Sequence, residues 1–390
     1  MSLNPAAAPR INSIDVLRGL VMIIMALDHV RDFWGPTPYD PLDLTVTSPA
    51  LYFTRWITHF CAPVFVFLAG TSAFLYQQNT GASKATLSKF LLTRGLWLVF
   101  IELTLITFSW QLGYNFIILQ VIWAIGWSMV FLSALVFLPI SVIAGIALVM
   151  IFGHNLLDPY KAADFGEYGM YWAMLHEGFQ FYPGVVGSLG LFVGYPLIPW
   201  LGVMAAGFAF GRVLLLEPAK RDRLLVRGGV AMIIGFFVLR YLNVYGDLQS
   251  WTSQERGGLY TFLSFMDVEK YPPSLLFLLI TLGPAIAIMP WMETWRGKFT
   301  DIVTVFGRVP FFYYVLHLPL INVTGSLFLI SIYGSAGWWL QGPQAFPEEY
   351  VPSLLLVYVA WILTVAALYF PCRWYADYKR GNKRWYLSFL

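Results

Sequence analysis

IDVLRGLVMIIMALDHVRDFW, residues 14–34, has the length of a membrane-spanning helix and an uninterrupted apolar centre over residues 20–27. Its ends are charged. Asp15 and Arg18 stand at one end, and Asp28, His29, Arg31 and Asp32 at the other. An ionisable group at the centre of a spanning helix costs roughly 2.5–3.5 kcal/mol on insertion scales and less toward the ends, so a plain anchor has no use for these residues. Positions 15, 18, 22, 25, 29 and 32 follow the 3-4 spacing of one helical stripe. Asp15, Arg18, Met22, Met25, His29 and Asp32 therefore share a face. At 1.5 Å per residue, about 16 Å separates Arg18 from His29. One face carries a cation toward one membrane surface and an imidazole with a carboxylate toward the other.

The rest of the chain has the same character. Of its 390 residues 58% are hydrophobic and only 12% charged, about half the charge of an ordinary globular domain. The mean hydropathy is +0.67. This composition predicts an all-α, polytopic transmembrane bundle, one integral-membrane domain over residues 1–390 embedded in a lipid bilayer. Residues 1–10, rich in Ala and Pro, read as a disordered tail. The first apolar segment is long and lacks a small-residue cleavage site, so it reads as a signal anchor. The two cysteines, Cys61 and Cys372, are expected to be free thiols on opposite membrane sides.

Candidate spans are residues 14–34, 56–76, 90–110, 116–137, 139–152, 194–216, 228–243, 274–290, 303–328 and 351–370. Placing the N-terminus in the cytoplasm puts eighteen of the 24 basic residues on the inner side. Only Arg31, Arg55, Lys161, Arg240, Arg256 and Lys270 remain outside. The positive-inside rule thus favours ten helices with both termini cytoplasmic. An eleventh arises if residues 184–195 form a further segment. The two long external loops, 153–185 and 244–273, set carboxylates among aromatic rings. That pairing suits a sugar, whose CH face stacks on rings and whose hydroxyls need acceptors. Any single ring is better explained by the aromatic belt of a membrane interface.

Few polar residues within the bundle could do chemistry. His29 ends the first helix. Arg55 and His59, four apart, share a face at the start of the second. His317 lies midway along the ninth, with Asn322 beyond it. A histidine can serve as a general base near neutral pH, and Asp28 or Asp32 could orient His29. Asp15 and Arg18 also make an ordinary i,i+3 pair at a helix start; the functional reading is that Arg18 meets a phosphate entering from the cytosol. GxxxxGK[ST], GxGxxG and HExxH are absent. The positive charge is accounted for by topology, which leaves nucleic-acid binding without support. The histidines lack close ligand spacing, so no metal is expected.

IDVLRGLVMIIMALDHVRDFW, followed by RWITHFCAPVFVFLAGTSAFLY, resembles the heparan-α-glucosaminide N-acetyltransferase catalytic-domain family of transmembrane acyltransferases. GYPLIPWLGVMAAGFAFGRVL and FGRVPFFYYVLHLPLI also fit its pattern. The resemblance implies a membrane enzyme that uses cytosolic acyl-CoA, with acetyl-CoA as donor, and an amine or hydroxyl acceptor outside, often on a sugar or glycan. It also implies a catalytic histidine on the outer half, which His29 matches. The lysosomal members carry an Asn and a Gly-rich stretch before their histidine; here Asp28 and His29 follow the helix directly, and heparan itself is not implied.

The sequence reading is therefore a membrane acyltransferase. His29 is its general base or transient acyl carrier, oriented by Asp28 or Asp32. Arg55, His59, His317 and Asn322 contact the acceptor or the developing oxyanion, and Arg18 with Asp15 sits at the donor end. The expected location is a bacterial-type inner membrane, with the active site in the extracytoplasmic half. The sequence allows a homodimer. A proton-coupled transporter or flippase of an envelope precursor would use the same buried Asp, Glu and His as a relay. It would also show matching broken helices in two repeated halves, and none is seen. A haem protein ligated by His29, His59 or His317 is the third reading.

Overall fold

The computed structural model describes residues 11–382, 384 and 387; the expected tail, residues 1–10, lies outside them. The chain is 73% helix with little sheet. In order it forms α1 (Asn12–Trp34), α2 (Pro49–Trp56), α3 (Cys61–Thr80), α4 (Lys84–Ile101), α5 (Thr107–Gln111), β1 (Phe116–Leu119), α6 (Val121–Leu135), α7 (Ile140–Gly153), α8 (Gly169–Trp172), β2 (Gln180–Val186) and β3 (Leu189–Val193). There follow α9 (Leu197–Leu214), α10 (Pro218–Leu242), α11 (Gly258–Met266), α12 (Leu275–Thr294), α13 (Lys298–Arg308), α14 (Pro310–Tyr333) and α15 (Leu354–Gly381). A 3₁₀ turn joins α2 to α3, and a π turn over Glu102–Ile106 joins α4 to α5.

Among the described residues, eight helical stretches are long and apolar enough to cross a membrane. The charged α1 and the short α6 fall outside that criterion, and both are buried within the bundle. Cys61 and Cys372 are free and buried.

The helices pack through small residues, as expected where lipid supplies no hydrophobic drive between them. A Cβ on Gly19 would lie 2.0 Å from the Val303 carbonyl oxygen, and one on Gly307 would lie 1.9 Å from that of Asp15. Helices α1 and α13 therefore touch backbone to backbone. Gly70 and Gly207 do the same for α3 and α9, each with a carbonyl oxygen 2.0 Å from the missing Cβ. The start of α1 is capped from a distance: both Glu293 carboxylate oxygens accept backbone N–H groups, from Asn12 at 3.1 Å and Ser13 at 2.7 Å. Negative charge at a helix N-terminus is favourable. Midway, the Trp361 indole donates to the Ile23 carbonyl at 2.8 Å, tying α15 to α1.

Three expectations are corrected. The span placed at 116–137 begins at Val121, because residues 116–119 form β1. The segment 184–195 is no eleventh helix; it holds most of a hairpin, with β2 antiparallel to β3 and β1 parallel on the other side of β3. The all-α expectation thus gains a small three-stranded sheet. The span placed at 303–328 is broken at Val309, whose φ of −131° and ψ of 50° separate α13 from α14. Pro310 then starts α14, at the position where a missing N–H costs nothing.

Candidate active site

A single cavity of about 1090 Å³ runs along α1. Arg18, Ser72, Tyr76 and Arg94 line it near the N-terminal end of α1. Met25, Cys61, Ile125 and Tyr314 line its middle. Asp28, His29, Arg31, Asp32, Arg55, His59 and Lys270 line the other end, and Asp40, Asp267 and Glu269 stand at the mouth beyond. The stripe read from the spacing is real for Arg18, Met25, His29 and Asp32.

At the Arg18 end the guanidinium donates to Ser72 Oγ at 2.6 Å and to the Gly307 carbonyl at 3.3 Å, with Asp15 3.9 Å away. Asp15 does not line the cavity; it acts on Arg18 from behind. Arg94, read from sequence as an orientation signal, is a lining residue.

At the other end, the expected carboxylate–imidazole pair is not formed. Asp28 accepts from Arg31 at 2.9 Å and from Arg55 at 3.0 and 2.9 Å, one bond to each oxygen. Asp32 accepts from Arg31 at 2.8 Å. Two arginines reach these carboxylates first, because a guanidinium offers several donors in a fixed fork and an imidazole offers one.

His29 is held instead by rings. Trp110 meets it edge-on at 5.0 Å, and His317 lies 5.1 Å away. His29 Nδ1 is buried and has no hydrogen-bond partner among the described residues. His317 does not line the cavity. Its Nδ1 is bonded to the Tyr314 carbonyl at 2.6 Å, and its ring stacks on Tyr313 at 5.3 Å. Asn322 also lies behind the site. Its amide donates to the carbonyls of Ser109 and Trp110, both at 2.9 Å, which fixes the end of α5 and hence the Trp110 ring. His317 and Asn322 therefore lie behind His29 and Trp110 and do not line the cavity. His59 does face it. It is 1% exposed, packs on Phe277 at 5.3 Å, and neither of its nitrogens has a hydrogen-bond partner among the described residues.

Sequence reasoning missed Lys270. Its ammonium group lines the cavity, the residue is 7% exposed, and no carboxylate lies within ion-pair distance among the described residues. A signal existed: Arg31, Arg55 and Lys270 are three of the six basic residues set against the positive-inside trend, and they converge here. The mouth is organised by Arg240, 2% exposed, which donates to the carbonyls of Phe265, Ser264, Gln249 and Asp267 and lies 3.8 Å from Asp247. Burial, reinforced by the neighbouring charges of Asp247 and Asp40, pushes the Asp267 carboxyl up to about 7. Glu269 and Asp247 are raised as well, chiefly by burial.

The fold and this cavity define a polytopic helical membrane protein with a buried cavity lined by charged groups at both ends. Residues 10–238 match the family described as "Heparan-alpha-glucosaminide N-acetyltransferase, catalytic". The match covers more than half of the chain, which belongs to that family. Membership implies a membrane acetyltransferase. No curated protein matches the chain.

Proposed function

We propose that the chain transfers an acetyl group from cytosolic acetyl-CoA to an amine on an extracytoplasmic acceptor, with an amino sugar as the acceptor class. The observation that carries this reading is the continuity of the cavity from Arg18 and Arg94 to His29 and the acidic mouth. The donor phosphates rest on Arg18 and Arg94. The pantetheine arm covers the roughly 16 Å along α1. The thioester carbonyl then lies beside His29. The acceptor sits among Phe179, Tyr271 and the carboxylates of Asp40, Asp267 and Glu269.

His29 removes a proton from the acceptor amine as its nitrogen attacks the thioester carbon. The C–N bond forms, the C–S bond breaks, and the proton passes to the departing thiolate. Arg55, His59 and Lys270 supply positive or donor groups for the developing oxyanion, which a preorganised, water-poor site stabilises well. Asp28 and Asp32 hold Arg31 and Arg55 in place. They act on the oxyanion side of the reaction and leave the imidazole free to accept a proton.

Acetyl transfer by purified protein in nanodiscs, with radiolabelled acetyl-CoA and a panel of amino sugars, tests this. His29→Ala should abolish transfer with folding intact. Arg18→Ala should weaken acetyl-CoA binding in calorimetry about tenfold. Full activity in His29→Ala would remove the base, and unchanged binding in Arg18→Ala would remove the donor site.

A further inference from the structure

A second cluster of ligating side chains lies outside the cavity. His154 opens the 3₁₀ turn His154–Leu157 at the end of α7, Asp158 follows it four residues later, and His176 sits on the π turn Ala173–Glu177 after α8. One ligating atom from each of the three lies within 4.8 Å of the others. The group is buried: His154 is 2% exposed and His176 1%. Among the described residues both nitrogens of His154 lack a hydrogen-bond partner, as does His176 Nδ1. An imidazole always carries at least one N–H or lone pair that needs a partner, and leaving one buried and unsatisfied is costly. A cation accepting the lone pair of His154 removes part of that cost.

Neighbouring side chains hold the three residues in place. His176 Nε2 lies 3.0 Å from Asp158 Oδ1, and the other carboxylate oxygen accepts from Asn155 Nδ2 at 2.8 Å. Asn155 Oδ1 in turn accepts the Leu275 N–H at 2.9 Å, so the ligand turn is tied to the start of α12. Outer partners of this kind orient ligating carboxylates and are part of the design of metal sites. Trp172 packs on His176 at 5.5 Å and donates to the Tyr160 carbonyl at 2.9 Å. A pocket of about 150 Å³ adjoins the cluster, lined by Asp158, His176, Phe179 and Tyr271. It leaves room for a water as fourth ligand.

We propose that His154, Asp158 and His176 bind one zinc-class divalent cation, which fastens the loop following α7 beside the mouth of the main cavity. Two imidazoles and one carboxylate with an open fourth position suit Zn²⁺, a borderline-soft ion that accepts tetrahedral N and O ligands. Ca²⁺ and Mg²⁺ prefer all-oxygen sets. Phe179 and Tyr271, which line both the small pocket and the main cavity, pack against each other at a tilt with ring centroids 5.0 Å apart. The ion thus braces the wall against which the acceptor would lie.

The test is a calorimetric titration of tag-free, EDTA-stripped protein in detergent with Zn²⁺, paired with the visible spectrum after Co²⁺ addition. One ion per chain is expected, with an intense tetrahedral Co²⁺ band and a rise in Tm on adding Zn²⁺. His154→Gln and His176→Gln should each weaken binding at least tenfold and abolish the band, whereas His59→Gln should leave both unchanged. Asp158→Asn serves if either histidine variant fails to fold. Absence of stoichiometric binding in the unaltered protein would overturn the proposal, as would undiminished binding in the folded variants.

Discussion

Replacing Arg55 with methionine should destabilise the protein through Asp28. The Asp28 side chain is 16% exposed, and those of Arg55 and Arg31 are 13% and 8%. Asp28 accepts three charged hydrogen bonds, of which two come from Arg55. Stripping a buried ion of its whole partner costs about 3–5 kcal/mol. Here Arg31 remains on one oxygen, so about 2–3 kcal/mol is expected for Arg55→Met, which keeps the apolar stem. Asp28→Asn leaves Arg55 with Thr58 Oγ1 at 3.2 Å and Arg31 with Asp32, and should cost a similar amount. The double variant should then lose about 1–2 kcal/mol less than the sum of the singles, the signature of groups in direct contact.

Reversible unfolding in mixed micelles measures all three stabilities, and acetyl transfer measured in parallel gives kcat. If Asp28 were instead the partner that orients His29, Asp28→Asn would collapse kcat while leaving stability unchanged, and Arg55→Met would add independently. Strict additivity in the double variant would refute the arginine assignment, whatever the activity.

Gly307→Ala would bring a methyl group to 1.9 Å from the Asp15 carbonyl oxygen, forcing α1 and α13 apart. Overpacking of this kind costs about 1–3 kcal/mol or more. Because the Gly307 carbonyl also holds Arg18, acetyl-CoA affinity measured by calorimetry should fall together with Tm. Asp267, raised to about 7 from a usual 3.8, favours its neutral form in the fold. Its contribution is therefore fully present below about pH 4, declines as pH rises, and is gone above about pH 7. Asp267→Asn should match the unaltered protein in Tm near pH 4 and exceed it by a few degrees near pH 8; a constant difference across that range would exclude Asp267 as the titrating group.

Much of this arrangement could be read from one stretch of sequence. The charged ends of α1 stood out because hydrocarbon penalises them, and the 3-4 spacing put Arg18, Met25, His29 and Asp32 on the face that lines the cavity. Partner choice could not be read in the same way. Periodicity places side chains on a face of their own helix. It does not say that Arg55, 27 residues away, reaches Asp28, or that Asn322 reaches back across 212 residues to the Trp110 carbonyl. The FIIL run of β1 is apolar and short, a pattern common to buried helix and buried strand. Only its parallel pairing with β3, itself distant in sequence, settles the matter.

The same limit explains Lys270. A lone lysine beside tyrosine in an external loop has no periodic signature, yet the fold brings it to the cavity with Arg31 and Arg55. The sequence reading sets these three cations on the outer side, where the positive-inside rule does not account for them. Asp28 and Asp32 pair with Arg31 and Arg55, and among the described residues Lys270 stands without a carboxylate at ion-pair distance, beside His29's end of the cavity. In the proposed transfer that cation faces the developing oxyanion, a role that the proton relay of a transporter would not call for.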